Sequence, residues 1–202
     1  MSDPRSMILD LFAGTGSATL PFRECGKHTV VGVDIVPGPY VEIVCDVRKL
    51  PRWVRETEWD FVWASPPCTE FSYLTAVSHA RGHRGPPDPE EGMKLVRSAF
   101  QEARRARWWC VENVRGSYRY IPREFGEPWL MKDAWCVWSN LPATLQSWGP
   151  WFKGVFVPGG VTWPSGSRTF HNVGSTRPRD KARIPRPLAE AVHRAVCEEK
   201  GP

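Results

Sequence analysis

Three short segments, each at the C-terminal end of an apolar run typical of a β-strand, constrain the fold of this chain more than any other feature. They are residues 10–16, 65–68 and 112–114. Helical patterns separate the strand-like runs, and strands that alternate with helices form a mainly parallel sheet. The carboxyl ends of parallel strands lie at one edge of the sheet, where ligands bind in open α/β folds. We therefore expect the three segments to share one crevice.

The apolar patterning predicts the order of the elements. Strands are predicted at residues 7–13, 29–35, 41–47, 60–64 and 108–114. Helices are predicted at residues 17–25, 51–56, 89–107 and 188–198. Asp88 suits the N-cap of the third helix, with Pro89 at its first position. The expected fold class is α/β, with a doubly wound, mainly parallel, Rossmann-like sheet.

The alternating pattern degrades after Val114. Residues 115–170 are rich in Pro, Gly and Trp, with strand-like runs at 134–138 and 154–157. We expect irregular structure there, with a small antiparallel piece. The chain is accordingly divided into a cofactor-binding and catalytic core (1–114), a reduced target-recognition region (115–170), and a basic segment with a closing helix that packs back on the core (171–202).

Composition narrows the partners of the chain. The formal charge of +5 favours a polyanionic partner. No apolar run approaches the roughly 18 residues of a membrane span, and no signal-peptide pattern is present, so we expect a cytoplasmic protein without membrane contact. We also expect the protein to be monomeric. The six cysteines include no C-x-x-C pair. We therefore expect reduced thiols and no metal.

The first segment is typical of a nucleoside site. Gly14 and Gly16 allow a tight turn and close approach of a ligand to the backbone. Asp34, at the end of the second strand, suits the hydroxyls of a ribose, and Asp46, at the end of the third, suits an adenine amino group. No phosphate-binding pattern is present, so S-adenosylmethionine is the expected cofactor. Alternatively, both acids are ordinary strand-end caps.

The other two segments are typical of covalent chemistry with a proton donor. Cys68 follows two prolines that stiffen its loop. Glu112 lies among apolar residues, and burial there would raise its pKa and keep a proton available near neutral pH. A thiol and a protonated carboxyl group in one crevice suit nucleophilic attack assisted by protonation.

Together these segments resemble the DNA cytosine-5 methyltransferases, in the compact form seen in phage genomes. Residues 10–16 are similar to the cofactor motif D-x-F-x-G-x-G of that family. Pro67-Cys68 and the later Phe71-Ser72 are similar to its nucleophile motif, and residues 112–114 reproduce its E-N-V motif. The resemblance covers residues 7–114.

The resemblance implies an S-adenosylmethionine-dependent methyltransferase fold and methyl transfer to C5 of cytosine in DNA. Cys68 would form a covalent bond to C6, Glu112 would protonate N3, and Asn113 would brace the loop of Cys68. The target base would have to leave the duplex stack. The residues predicted to bind the cofactor are Phe12, Gly14, Gly16, Asp34, Asp46 and Pro67.

Basic residues in two places suit contacts with phosphates. Arg81 and Arg84 lie in a Gly- and Pro-rich loop at residues 79–87, which matches the position of a mobile loop in the family. Arg179 and Arg183 lie in the basic tail.

The chain departs from the family at several positions. Ser17 stands where glycine is usual and Thr69 where glutamine is usual, and a later motif with glutamine and paired arginines is missing. Too few residues follow Val114 for a full target-recognition domain, so we expect a short or relaxed recognition sequence.

Three other functions remain open. The first is methylation of an exocyclic amino group, because Ser65-Pro66-Pro67 matches three positions of that motif, although Cys68 stands where an aromatic residue is usual. The second is C5 methylation of RNA, and the third is a nucleic-acid binder without turnover.

Overall fold

The computed structural model describes residues 6–83, 85–142 and 183–198. Within these residues seven strands form one sheet, in the order β3-β2-β1-β4-β5-β7-β6. The strands are β1 (Ser6–Leu11), β2 (His28–Asp34), β3 (Ile43–Val44), β4 (Phe61–Ala64), β5 (Trp108–Val114), β6 (Leu130–Lys132) and β7 (Trp135–Ser139). Arg84, Arg179 and the strand-like run predicted at residues 154–157 lie outside the described residues.

The sheet is mainly parallel, which confirms the fold class expected from the sequence. Strands β1 to β5 pair in parallel, and β7 runs antiparallel to both β5 and β6. The run predicted at residues 134–138 is β7, displaced by one residue. Strands β6 and β7 thus extend the same sheet as the first five, although they come from the predicted region 115–170. The division into three regions stays a prediction.

Six helices accompany the strands within the described residues. They are α1 (Leu20–Glu24), α2 (Arg52–Glu56), α3 (Tyr73–Ala80), α4 (Pro89–Ala103), α5 (Pro122–Phe125) and α6 (Arg186–Glu198). Asp88 caps α4 as predicted, because its side chain accepts hydrogen bonds from the backbone N–H groups of Glu90 and Glu91. The helix ends four residues before the predicted boundary at Arg107. The backbone N–H of Arg107 already bonds the carbonyl of Trp59, at the start of the pairing between β4 and β5.

Helices cover both faces of the sheet. On one face α2 and α4 pack through Val54, Val96 and Phe100. On the other face α1 and α6 pack through Phe22, Leu188 and Val192. The layers are those of a doubly wound fold, with the sheet between two apolar clusters. None of the described helices is long and apolar enough to cross a bilayer.

Several elements differ from the predicted pattern. Strand β3 has two residues rather than seven, because Asp46 accepts a hydrogen bond from the N–H of Arg48 and starts a 3-10 turn at Val47–Lys49. Helix α1 starts at Leu20 rather than at residue 17, since the glycine turn continues to Thr19. Helices α3 and α5, and a 3-10 turn at Arg115–Arg119, were not predicted.

Candidate active site

The strand register brings the three segments to one level of the sheet. Leu11 pairs with Val33 of β2 and with Ala64 of β4, and Ala64 pairs with Val111 of β5. The residues that follow Leu11, Ala64 and Val111 are Phe12, Ser65 and Glu112. Phe12 continues the first segment, and Ser65 and Glu112 begin the other two. Strand order reverses between β1 and β4, and this switch point is where open α/β sheets bind ligands.

The turn after β1 has an unusual backbone. Phe12, Gly14 and Gly16 have φ values of 62°, 51° and 67°. Left-handed backbone is rare for an aromatic residue and occurs mainly where function or packing requires it. A Cβ on Gly16 would overlap the ring of Tyr40, whereas one on Gly14 would meet no atom closer than 3.8 Å. Gly14 therefore leaves an exposed open cradle at the sheet edge.

A buried carboxyl group supports this turn. Asp10 is 1% exposed and accepts a hydrogen bond of 2.6 Å from the hydroxyl of Thr19. Burial is the main cause that raises the pKa of Asp10 to about 7, and the Thr19 hydroxyl acts in the opposite direction. The bond closes the turn across nine residues, so the shape of the cradle depends on it.

Asp34 lies beside the glycine turn, as expected for a ribose contact. Its carboxylate accepts hydrogen bonds from the N–H of Gly14 at 2.9 Å and from the N–H of Val36 at 2.8 Å. Ile35 is 67% exposed and Val36 is 43% exposed next to this carboxylate. An acceptor for hydroxyls, an apolar surface for a base and an open cradle together fit the nucleoside half of S-adenosylmethionine. The sequence reasoning missed Ile35 and Val36, although two apolar residues after a strand-end acid were a usable signal.

The carboxylate of Asp46 is hydrogen bonded to a neighbouring residue. It accepts hydrogen bonds from the N–H and the guanidinium of Arg48, at distances between 2.6 and 3.1 Å. The hydrogen bonds from Arg48 lower the pKa of Asp46 to about 2. This arrangement is that of a cap, which was the alternative interpretation of the residue. Its contact with an adenine stays a prediction.

The loop of Cys68 is fixed at several points. The side-chain amide of Asn113 donates a hydrogen bond of 3.0 Å to the carbonyl of Pro66, as expected for a brace. The carbonyl of Cys68 accepts a hydrogen bond of 3.0 Å from the N–H of Phe71. Phe71 is buried against Tyr120, and the absence of a side chain on Gly116 lets the two backbones approach closely.

The ends of that loop differ in exposure. Pro66 is buried and its backbone is anchored by Asn113, whereas Pro67 is exposed and Cys68 is partly exposed. Cys68 is therefore partly open to solvent while the chain that carries it is held in place.

Glu112 lies buried on β5, with 8% of its surface exposed. Burial is the main cause that raises the pKa of its carboxyl group to about 7, and a hydrogen bond from the Ser65 side chain lowers it in part. The Ser65 hydroxyl oxygen in turn accepts a hydrogen bond of 2.7 Å from the indole N–H of the buried Trp63. A carboxyl group with this pKa keeps a proton available near neutral pH, as the sequence led us to expect. The role of Ser65 as a hydrogen-bond partner was missed.

The surroundings of Cys68 favour its thiol form over the thiolate. Burial raises the pKa of Cys68 above its ordinary value, and the negative charge of Glu112 raises it further. Protonation of Glu112 removes that charge, so the neutral carboxyl group favours the thiolate.

The predicted phosphate contacts are distributed as follows. Arg81 is exposed directly after α3, and Arg183 is exposed directly before Ile184. The backbone N–H of Ile184 donates a hydrogen bond of 2.9 Å to the hydroxyl of Ser17, so Arg183 follows the end of the glycine turn in space. Ser17, which departs from the family pattern, thus has a structural role. Arg115, exposed directly after β5, is a further basic residue at this edge that the sequence reasoning missed.

Comparison with known proteins gives one match of sequence and several partial matches of structure. The chain is similar to a probable DNA (cytosine-5)-methyltransferase of Frog virus 3 (isolate Goorha), with 32% identity over 99 residues. The match covers 46% of this chain and 46% of the viral protein, which is about half the length of that relative. It supports the resemblance to DNA cytosine-5 methyltransferases. No protein-family profile matches the chain.

The similar solved structures cover larger parts of the chain at low identity. The Entamoeba histolytica methyltransferase EhMeth has a TM-score of 0.40 and 14% identity, over 60% of this chain and 42% of its own. Protein 1320 of Thermoplasma acidophilum has a TM-score of 0.38 and 16% identity, over 63% and 62%. The human methyltransferase 10 domain containing protein has a TM-score of 0.38 and 13% identity, over 68% and 71%.

Proposed function

We propose that this chain transfers a methyl group from S-adenosylmethionine to C5 of cytosine in DNA. The observation that carries the proposal is that Cys68 lies on a braced loop and that its pKa responds to the charge of Glu112, a buried carboxyl group whose own pKa is about 7. The similarity to the viral protein supports the choice of DNA and of cytosine C5.

The cofactor would lie against the end of β2. Asp34 would accept hydrogen bonds from the ribose hydroxyls while it holds the glycine turn through the N–H of Gly14. Ile35 and Val36 would cover one face of the adenine, and Phe12 another, because exposed apolar side chains there gain stability by burial. When bound, S-adenosylmethionine supplies a methyl group attached to a sulfonium, which is a strong electrophile.

Cytosine C5 needs activation before it can accept a methyl group. The Cys68 thiolate would form a bond to C6 while Glu112 gives its proton to N3, so that the ring becomes an enamine that is nucleophilic at C5. After methyl transfer the C5 proton would leave to a base, the bond between sulfur and C6 would break to restore the Cys68 thiolate, and N3 would return its proton to Glu112 as the ring regains its aromaticity. A carboxyl group with a pKa near the working pH suits this role.

The two groups would cooperate through their charges. Glu112 as a carboxylate raises the pKa of Cys68, whereas protonated Glu112 does not. The pair therefore reaches its reactive form, a thiolate beside a neutral carboxyl group, without two negative charges in a buried place.

DNA would approach the edge of the sheet that carries Arg81, Arg115 and Arg183. These residues are exposed and suit phosphate contacts, which position the duplex without reading its sequence. The cytosine would have to leave the stack to reach Cys68. The two further predicted contacts, Arg84 and Arg179, lie outside the described residues.

The test is nucleoside mass spectrometry of DNA from cells that lack their own cytosine methylation. The cells express the wild type, Cys68→Ala or the control Cys45→Ser, a partly exposed cysteine on the opposite side of β1 from the loop of Cys68. We expect 5-methyldeoxycytidine with the wild type and with Cys45→Ser, and none with Cys68→Ala.

Other results would replace the proposal. N4-methyldeoxycytidine or N6-methyldeoxyadenosine that persists in Cys68→Ala would indicate an amino-methyltransferase. 5-Methylcytidine in RNA, with unmodified DNA, would change the substrate class. No modified nucleoside, with cofactor binding intact, would indicate a binder without turnover.

A further inference from the structure

Four potential metal ligands lie together at the end of the sheet opposite the candidate active site. Cys25 caps the C-terminus of α1, and His28 is the first residue of β2. His193 and Cys197 lie on α6. Asp34, at the candidate cofactor site, is the last residue of β2, so about 20 Å of strand separates the two places.

The donor atoms converge. The Cys197 sulfur lies 3.5 Å from Nε2 of His193 and 3.6 Å from Nε2 of His28. The Cys25 sulfur and one ring nitrogen of each histidine all lie within 4.8 Å of one another. Each sulfur therefore lies within 4.8 Å of ring nitrogens of the same two histidines.

These distances match the edges of a zinc tetrahedron. Zinc lies about 2.3 Å from a thiolate sulfur and about 2.05 Å from an imidazole nitrogen, and in a tetrahedral site these lengths place the two donors about 3.6 Å apart. The contacts of Cys197 with the two histidines have this length. The Cys25 thiol donates a hydrogen bond of 3.2 Å to the carbonyl of Phe22, and it would give up this bond on binding the ion as a thiolate.

The surrounding chain holds the ligands in position. The ring of Phe22 packs edge-on against His28, with 5.3 Å between centroids, and against His193, with 4.7 Å. His193 and Cys197 are four residues apart, so they lie on the same face of α6 one turn from each other. The four side chains are partly buried, which limits competition by water.

We propose that Cys25, His28, His193 and Cys197 bind one Zn²⁺ in a tetrahedral structural site. Mixed thiolate and imidazole ligands are those that zinc prefers among the divalent ions. Two thiolates neutralise the charge of the ion, which matters because Lys27 and Arg194 lie near His193 and repel a cation. The spacings Cys-x-x-His and His-x-x-x-Cys are typical of zinc ligand pairs. The sequence analysis missed them because it took the absence of a C-x-x-C pair to mean that no metal binds.

The site would fasten the C-terminal helix to the first helix–strand corner. His28 and Cys197 are 169 positions apart in the chain, so the ion would close a very long loop. This inference does not depend on the proposed methyl transfer, because the cluster lies at the other end of β2.

The first test is titration of the reduced full chain with Zn²⁺ and with Co²⁺. We expect one ion per chain, and with Co²⁺ the intense visible bands of a tetrahedral centre together with a near-ultraviolet thiolate-to-cobalt band. Free zinc at about 100 times the dissociation constant should raise the melting temperature by about 5–10 °C. Weak octahedral cobalt spectra, or no zinc taken up in competition with a chromogenic chelator, would overturn the proposal.

Variants assign the ligands. Removal of a residue that supports a metal ligand lowers metal affinity by roughly 10–100-fold. Cys25→Ser and Cys197→Ser each remove a proposed ligand, so each should lower the zinc affinity at least as much. Cys45→Ser, outside the cluster, should bind as the wild type does. Wild-type affinity in both cluster variants would contradict the assignment.

A measurement on the wild-type protein tests the same ligands without any variant, and so holds even if a variant does not fold. Zinc should slow alkylation of Cys25 and Cys197 by iodoacetamide at least tenfold, and leave Cys45 unchanged, as read by peptide mass spectrometry. Equal alkylation of Cys25 and Cys197 with and without zinc would mean that their contacts with the histidines are only S–H···N hydrogen bonds.

Discussion

Glu112 is under two influences that act in opposite directions on its pKa. Burial raises the pKa of the carboxyl group, while the hydroxyl of Ser65 stabilises the carboxylate and lowers it. Trp63 holds the Ser65 oxygen with its indole N–H, so the hydroxyl hydrogen remains free to point at Glu112. Ser65 is therefore a positioning residue for the proposed proton donor.

Replacement of Ser65 by alanine tests this role. Ser65→Ala should raise the pKa of Glu112 by about one unit, because the hydrogen bond to its charged form is lost. If Glu112 acts in its protonated form, activity falls as the pH rises through that pKa. The alkaline limb of the kcat/KM profile should therefore shift to higher pH by about one unit. Ser98→Ala, an exposed hydroxyl on α4 bonded to a carbonyl, is the control. An unchanged alkaline limb would show that Ser65 does not influence the proton donor.

Asp34 and Asp46 provide a second test at the scale of residues. Asp34→Ala should weaken S-adenosylmethionine binding by about 10–100-fold, because charged hydrogen bonds to the ribose are lost. Asp46→Asn should have a smaller effect, since Arg48 already occupies the carboxylate. Isothermal titration calorimetry gives both dissociation constants. Equal losses would show that an adenine displaces Arg48 from Asp46.

At the scale of elements, the loop between β4 and α3 decides where the thiol points. Asn113 on β5 holds the carbonyl of Pro66, and Phe71 is packed against the 3-10 turn that follows β5. Both anchors come from β5 or from the residues directly after it, so the strand that carries Glu112 also sets the position of Cys68. The geometry of the pair is therefore determined by one strand.

Gly116→Ala should misplace this loop. A Cβ at this position would overlap the carbonyl oxygen of Phe71, which is backbone and has little freedom to move. A displacement of about 1 Å at a reacting group costs about 100-fold in rate, so kcat should fall by 10–100-fold. The dissociation constant of S-adenosylmethionine should change much less than kcat, because Pro67 is the one predicted cofactor contact that lies on this loop. Normal turnover would show that the loop adapts to the methyl group.

The boundaries of strands and helices that depend on neighbouring residues in the chain were the ones that the sequence predicted. The ends of β4 and β5 were predicted correctly, whereas β1 ends at Leu11, two residues before the predicted end at residue 13. The cap of α4 was predicted because Asp88-Pro89 has one preferred geometry. Burial of Glu112 followed from its apolar neighbours. Asn113 was placed by the resemblance rather than by its neighbours.

The remaining features depend on contacts between distant residues. Tyr40 lies over Gly16, Ser65 reaches Glu112 on another strand, and Ser17 meets Ile184. Nothing in the residues beside any of these specifies its partner. The length of β3 also escaped prediction, because the capping bonds of Asp46 prevail over the β propensity of the residues around it.

At the scale of the whole molecule, the buried carboxyl groups make stability depend on pH. The pKa of Glu112 rises from 4.5 to about 7 on folding, so the folded state binds more protons than the unfolded chain within this range. The free energy of unfolding contributed by this group is therefore complete below about pH 4.5 and is lost as the pH rises through about 7. Asp10, with its raised pKa, acts in the same direction.

Glu112→Gln isolates the contribution of one group. Urea unfolding between about pH 5 and pH 8 should show a steeper decline of stability in the wild type than in the variant, because glutamine does not titrate. The effects of Asp10 and of the histidines are common to both proteins and cancel in the difference. Parallel curves would mean that Glu112 keeps an ordinary pKa in the folded protein.

The hydrogen bond from Ile184 to Ser17 has a consequence for protein synthesis. The two residues are 167 positions apart, and at about 5–20 residues per second a ribosome needs roughly 8–33 s to reach the second after the first. Until then the glycine turn lacks one of its anchors, although β1 and α1 have already been synthesised. A nascent chain that has not reached Ile184 would thus carry all of Cys68, Glu112 and Asp34 and still have an unfinished cofactor turn, so that the competence of this turn depends on a segment translated much later.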